Sequence, residues 1–189
     1  VGVMLALGAM GFELKNLIIF TGALGIGIGF GLQNIANNFV SGLILLFERP
    51  IKVGDIVQIT GVWGEVKQIG LRATVVETFD RAEIIVPNSD LVSNQVTNWT
   101  FSDRMARLVI TVGIAYGSDV PLTMRLLSEA ARGHPLVLKN PEPQVLFIRF
   151  GESSLDFELR IWIEDVRNLF LLKSELHQEI DRTFRASGV

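Results

Sequence analysis

Hydrophobic and polar positions change rhythm twice along this chain. From Asn16 to Phe47 no charged residue occurs; Glu13 and Lys15 precede the run, and Glu48 and Arg49 close it. An uncharged apolar stretch well beyond about 20 residues predicts a membrane-spanning helix rather than a soluble core helix. From residue 51 to 99 apolar and polar positions alternate between closely spaced turn signals. "DIVQIT", "EVKQIGLRATVVETF" and "AEIIVP" read as strands, Gly61 and Gly64 flank a tight "GVWG" turn, and "DRA" supplies another. Short antiparallel strands at this spacing predict a small β barrel or sandwich.

Beyond residue 104 the period alternates between two and 3.6. "RLVITVGIAY" reads as a strand and "DVPLTMRLLSEAARG" as a helix capped by Asp119. "PQVLFIRFG" and "SLDFELRIWI" read as two further strands, and "LFLLKSELHQEIDRTFRAS" as an amphipathic helix. Strand, helix, strand, strand, helix predicts a ferredoxin-like α+β layer of the split βαβ type. Residues 1–12, "VGVMLALGAMGF", are apolar from the first position and read as the end of a preceding transmembrane helix. The chain thus reads as part of a larger multi-span membrane protein. The expected segments are 1–12, a transmembrane helix over 13–50, a small β domain over 51–103 and an α+β domain over 104–189.

Within the span, glycine stands at 22, 25, 27, 29 and 31, each costing a helix roughly 1 kcal/mol relative to alanine. At about 100° per residue, with Gly25 as origin, Gly22 and Gly29 fall near 60° and 40°, while Gly27 and Gly31 fall near 200° and 240°. Between these two small faces lies a strip of Ile26, Phe30, Gln33 and Asn37; Leu24, Ile28, Leu32 and Ile35 lie opposite it. Two small faces let helix backbones approach on both flanks, so copies of this helix would close a ring with the strip facing its axis. Bulky Ile26 and Phe30 followed by polar Gln33 and Asn37 describe an apolar constriction opening into a wet vestibule. A tightly packed helix inside a bundle of different spans is the alternative. A straight helix over the run would reach about 45 Å at 1.5 Å per residue, against roughly 30 Å of hydrocarbon. The cluster Gln33, Asn34, Asn37 and Asn38 is the expected place for helicity to break or bend, because such side chains compete for backbone hydrogen bonds.

Composition narrows the chemistry. The formal net charge of −3 argues against nucleic acid as a partner, and the absence of cysteine removes disulfides and thiolate metal sites. "GIGIGFG" lacks the last glycine of a dinucleotide fingerprint and no Lys-Ser or Lys-Thr follows it. There is no G-x-S-x-G nucleophile motif. Asp80, Arg81 and Glu83 read as hairpin-tip charges. His134 precedes Pro135 in a loop, and His177 sits between Glu175 and Glu179 on a solvated helix face; neither shows metal-ligand spacing. No catalytic residue, metal site or cofactor is expected. Arg49 and Lys52 after the span outweigh Lys15 before it, which places the C-terminal region in the cytoplasm.

"GIGIGFGLQNIANNFVSGLILLFERPIKVGDIVQI", followed by "GEVKQIGLRATVV" and "IIVPNSDL", resembles the mechanosensitive channel of small conductance (MscS) family, above all its larger multi-span bacterial members. The resemblance covers nearly the whole chain. It implies a homoheptamer, multi-pass in the bacterial inner membrane, opened by membrane tension to release ions and small osmolytes on hypo-osmotic shock. Residues 13–48 would then be the pore-lining last span, with the two following domains forming a cytoplasmic cage. The family's two gate positions fall on Ile26 and Phe30, in place of the usual leucines. Its kink glycine falls on Asn34, and its second hinge glycine is retained as Gly42. The family continues past "RASGV" into a further strand and a small barrel. The implied partners are membrane lipids, further copies of the chain and the permeating solutes. A channel of this scaffold gated by a ligand or ion at the cage is the first alternative; a non-conducting membrane-anchored scaffold is the second.

Overall fold

The computed structural model describes residues 14–189. The apolar segment 1–12 read as the end of a preceding span lies outside the described residues. The chain divides into two compact units: one of residues 14–53 and Val66–Val96, the other of Gly54–Glu65 and Thr97–Val189. A long apolar helix is followed by a β-rich region and then an α+β domain, the expected fold class.

Helix α1 runs unbroken over Leu14–Glu48. The expected break in helicity between Gln33 and Asn38 is not found. Asn38 Nδ2 donates to Asn34 O at 2.9 Å, and its Oδ1 accepts from the Ser89 backbone N–H at 3.1 Å. The amide thus bonds alongside the helical ladder and to a neighbouring segment instead of competing with the ladder. The helix stops at Arg49, which takes a left-handed φ of 52° and donates its N–H to Leu45 O at 3.1 Å. Left-handed geometry costs a non-glycine residue about 1–2 kcal/mol, and Pro50 then forbids continuation of the helix.

Strands β1 (Ile56–Ile59), β2 (Val62–Ile69), β3 (Ala73–Thr78), β4 (Glu83–Pro87) and β5 (Thr97–Asn98) form a sheet in the order β4-β3-β2-β1-β5. The β1–β2 turn is Thr60–Gly61, both at positive φ (48° and 88°), closed by the Ile59–Val62 pair. Two-residue hairpins need that handedness to match strand twist. The turn therefore precedes the expected "GVWG": Val62, Trp63 and Gly64 already belong to β2. The stretch read as one strand over residues 65–79 is two, divided at Gly70, whose N–H donates to Ala73 O at 2.9 Å. At the expected "DRA" turn Arg81 adopts φ 64°, and Thr78 N donates to Ala82 O at 2.8 Å. A short helix α2, Asn88–Ser93, follows β4.

The second sheet holds β6 (Ala106–Ile114), β7 (Gln144–Phe150) and β8 (Leu155–Ile163) in the order β6-β8-β7. β8 runs antiparallel to both neighbours, so β6 and β7 run parallel without touching. This is the split βαβ arrangement. Helix α3 (Val120–Gly133) carries the crossover, with Asp119 capping it by accepting from Leu122 N at 2.9 Å. Helix α4 (Leu169–Ser187) ends on Gly188 at φ 72°. Alternate residues of β8 (Leu155, Phe157, Leu159, Ile161 and Ile163) are buried with Leu127 of α3 and with Leu172, Leu176 and Ile180 of α4. Each such side chain contributes about 1.5–3 kcal/mol on burial.

Candidate functional site

The site to examine is α1, because it departs most from what a folded chain requires of itself. Residues Ile18–Glu48 are long and apolar enough to cross a membrane, and none of their most apolar stretch is buried. Ile26 is 64% exposed and Phe30 73%. Exposed apolar side chains on every side of a helix mark a surface meant for lipid or for other helices. Gly22, Gly25, Gly27, Gly29 and Gly31 face open space, with nothing within 4 Å of a Cβ placed on any of them. Gln33, Asn34 and Asn37 are exposed as well. Among the described residues nothing therefore uses either glycine face or the strip between them.

The C-terminal third of the same helix is different. Ser41, Gly42 and Leu45 are buried. A Cβ on Gly42 would lie 2.3 Å from Leu71 O and 2.6 Å from Asn88 Nδ2, so only glycine lets the helix backbone reach this wall. Asn88, fully buried, is the centre of that wall. Its Nδ2 donates to Gly70 O at 2.9 Å, its Oδ1 accepts from the Thr74 hydroxyl at 2.9 Å, and its N–H donates to Arg72 O at 3.0 Å. Next to it, the Asn38–Ser89 bond ties α1 to the first turn of α2. Sequence reasoning singled out Gly42 but missed Asn88 as the group it packs on, and missed the bond of Asn38 to Ser89. The "PN" dipeptide was the available signal, since an asparagine beginning a short helix with its side chain turned inward needs bonding partners.

Where α1 ends, Leu45, Leu46, Ile51 and Val53 line a groove of about 420 Å³ together with Arg49 and Lys52. An apolar floor beside three cations, Lys67 of β2 being the third, at the end of an apolar helix is the chemistry of a membrane–water boundary.

Other polar residues form structural pairs. Asp80, Arg81 and Glu83 sit exposed at the β3–β4 tip. The Arg167 guanidinium, bidentate on Asp165, holds the Asp165 carboxyl down at about 2. Arg149 and Ser154 likewise lower Asp156, and Arg182 lowers Glu179. Among the described residues there is no group of three or more His, Asp or Glu placed to hold a metal ion. His177 is exposed on α4. His134, in contrast, has a partner that its sequence neighbours did not reveal: its Nε2 lies 3.0 Å from Glu175 Oε2.

Comparison with known proteins bears on this geometry. The family described as "Mechanosensitive ion channel, beta-domain" matches residues 34–101, and "Mechanosensitive ion channel MscS, C-terminal" matches residues 108–189. A Haemophilus influenzae protein named as an uncharacterized MscS family protein is 47% identical over 97% of this chain and 17% of its own length. The mechanosensitive channel MscK of Escherichia coli is 46% identical over 89% of this chain and 15% of its own. The chain thus spans about a sixth of the length of these curated relatives. The crystal structure of Helicobacter pylori MscS in its closed state superposes with a TM-score of 0.90 at 26% identity, covering 97% of this chain and 72% of that one.

Proposed function

The chain belongs to the MscS family of mechanosensitive channels, and from that premise we propose that it carries the pore-forming part of a channel opened by membrane tension. The observation that supports this reading most is α1: an apolar helix complete at its C-terminal end and left open, with two glycine faces, along the rest. In the proposed assembly, a homoheptamer in the bacterial inner membrane, the Gly22, Gly25, Gly29 face of one helix meets the Gly27, Gly31 face of the next. Ile26 and Phe30 then form two apolar bands one helical turn apart, and Gln33 and Asn37 line the pore below them. Asn34 and Gly42 are the proposed hinge positions. The multi-pass protein would place its β domain (51–103) and α+β domain (104–189) in the cytoplasm. Anionic lipid would meet Arg49 and Lys52 at the end of the span. Ions and small osmolytes are the cargo, and no catalysis is assigned.

The gate follows from solvation. A narrow apolar band loses water and strips hydration from ions, so it blocks without a charged plug. Tension favours the wider ring because that state occupies more membrane area. A polar group in the band lets water remain and lowers the barrier. Patch recordings of the full-length protein under graded suction should show Phe30→Ser channels opening at lower tension or leaking at rest. Ile28→Ser, on the opposite side of the helix, should behave as the parent does. If Phe30→Ser gates at unchanged tension while Ile28→Ser leaks, the strip has been assigned to the wrong face.

A further inference from the structure

His134 ends α3 and begins the segment that returns to the second sheet. Its N–H donates to Ala131 O at 3.2 Å, Val137 N donates to His134 O at 3.1 Å, and Leu138 N donates to Trp162 O at 2.8 Å. The imidazole is only 15% exposed and is held at both nitrogens. The Leu136 backbone N–H donates to Nδ1 at 3.2 Å, and Nε2 lies 3.0 Å from Glu175 Oε2 on α4. A backbone N–H can only donate, so Nδ1 is the bare nitrogen and Nε2 carries the proton given to Glu175. The bond from Leu136 exists only while the ring is neutral, whereas Nε2 can donate to Glu175 in either state.

Protonation places a hydrogen on Nδ1, directly opposite the Leu136 N–H, and that bond is lost because two donors then face each other. The bond to Glu175 becomes charge-assisted and strengthens. The surroundings hold groups of both signs: Glu129 from α3, and Glu175, Glu179 and Arg182 from α4, line the same cavity of about 480 Å³. Glu179 is engaged by Arg182 at 2.6 Å, which leaves Glu175 as the carboxylate bonded to the ring.

We propose that His134 is a proton-operated latch. In the neutral state it pins the turn at Leu136; protonation releases that turn and tightens the tie between the end of α3 and Glu175 of α4. Solution acidity would thereby set how firmly the 134–138 segment is held on the sheet. The latch is a property of the second unit by itself and does not depend on conduction.

Residues 1–189 hold the histidines His134 and His177; in full-length protein labelled with ¹⁵N-histidine and ¹⁵N-leucine in lipid nanodiscs, the NMR signals lost in His134→Asn and in His177→Asn identify the two rings, with exposed His177 as the internal reference. Above its titration His134 should show a bare Nδ1 and a protonated Nε2. As His134 titrates, the Leu136 amide should shift with the same midpoint and lose about three- to tenfold of its exchange protection, the size of one net hydrogen bond. His134→Asn, whose side-chain oxygen can accept from Leu136 but cannot titrate, should keep Leu136 protected throughout. A protonated Nδ1 at high pH, or a Leu136 amide unmoved across the His134 titration, overturns the proposal. Both readings are taken on the unsubstituted protein, so they hold whether or not His134→Asn folds.

Discussion

The two ends of α1 use the same residue in opposite ways. Toward the N-terminus, glycines 22 to 31 border empty space; at position 42 a glycine is pressed between a backbone carbonyl and a buried amide. Among the described residues the first set meets nothing, and the proposed ring would supply its neighbours. The second is fully explained by Leu71 and Asn88 and would be needed in a single isolated copy. One helix is therefore finished by its own fold at one end and, in the proposed ring, by assembly at the other.

That contrast can be attacked at its strongest point first. Gly42→Ala should cost about 3 kcal/mol or more, at or above the upper range for overpacking, because the atoms it strikes are backbone and a buried amide rather than a mobile side-chain end. Thermal unfolding of the purified protein in detergent reads this; a melting temperature within a degree of the parent's would mean the joint is loose. Asn88→Ala should follow at about 2–3 kcal/mol, since it strands the Thr74 hydroxyl and the Gly70 carbonyl without partners. Restoration of that loss by Thr74→Val in the same chain would show that the stranded hydroxyl accounts for part of it.

Asp165→Asn, far from α1 in sequence, supplies a scale for one half-exposed ion pair. The folded carboxyl sits at about 2, below an ordinary aspartate near 3.9. Its contribution is therefore complete above about pH 4 and disappears as pH falls through 2. Because Arg167 is half exposed, the effect should stay near 1 kcal/mol or less, seen as a flatter acid-unfolding profile between those pH values. The smallest effect on folding belongs to Gly29→Leu, whose Cβ meets no atom of the described residues within 4 Å and which gains helix propensity. Its consequence should appear only in the assembly, as lost oligomer by native mass measurement or altered gating. If the oligomer and its gating are normal, the glycine faces do not pack against other copies.

How much of this was legible beforehand depended on whether a signal was local. The limits of α4 and the Asp119 cap follow from helical period and a single side chain, and both were readable. Turn placement was not: "GVWG" has two glycines, yet the φ values choose Thr60–Gly61, because strand twist rather than glycine count selects the turn. The polar cluster at 33–38 carries no break in helicity, for a related reason. Asn38 finds its second partner 51 residues away at Ser89, and no local rule anticipates that its amide will brace the helix instead of breaking it. His134 and Glu175, 41 residues apart, escaped for the same cause. Helical geometry alone puts Ile26 and Phe30 on one side, and the gate read from that strip remains the proposal that the Phe30→Ser recordings test.

The second sheet also has a history written into its order. β8 is the last strand made and the central one in space, so β6 and β7 have no mutual partner when they leave the ribosome. At about 5–20 residues per second, the roughly 50 residues from Ile114 to Ile163 keep β6 waiting for about 2–10 s with an open edge. Through that interval the domain is a set of unjoined pieces, dependent on chaperones or on the short life of the gap. Nascent chains halted before Leu155 should be cut readily by protease between Ala106 and Phe150, and those halted beyond α4 should resist. Birth order thus makes the central strand of this sheet the last of the three to join it, and each copy passes through that delay before any assembly.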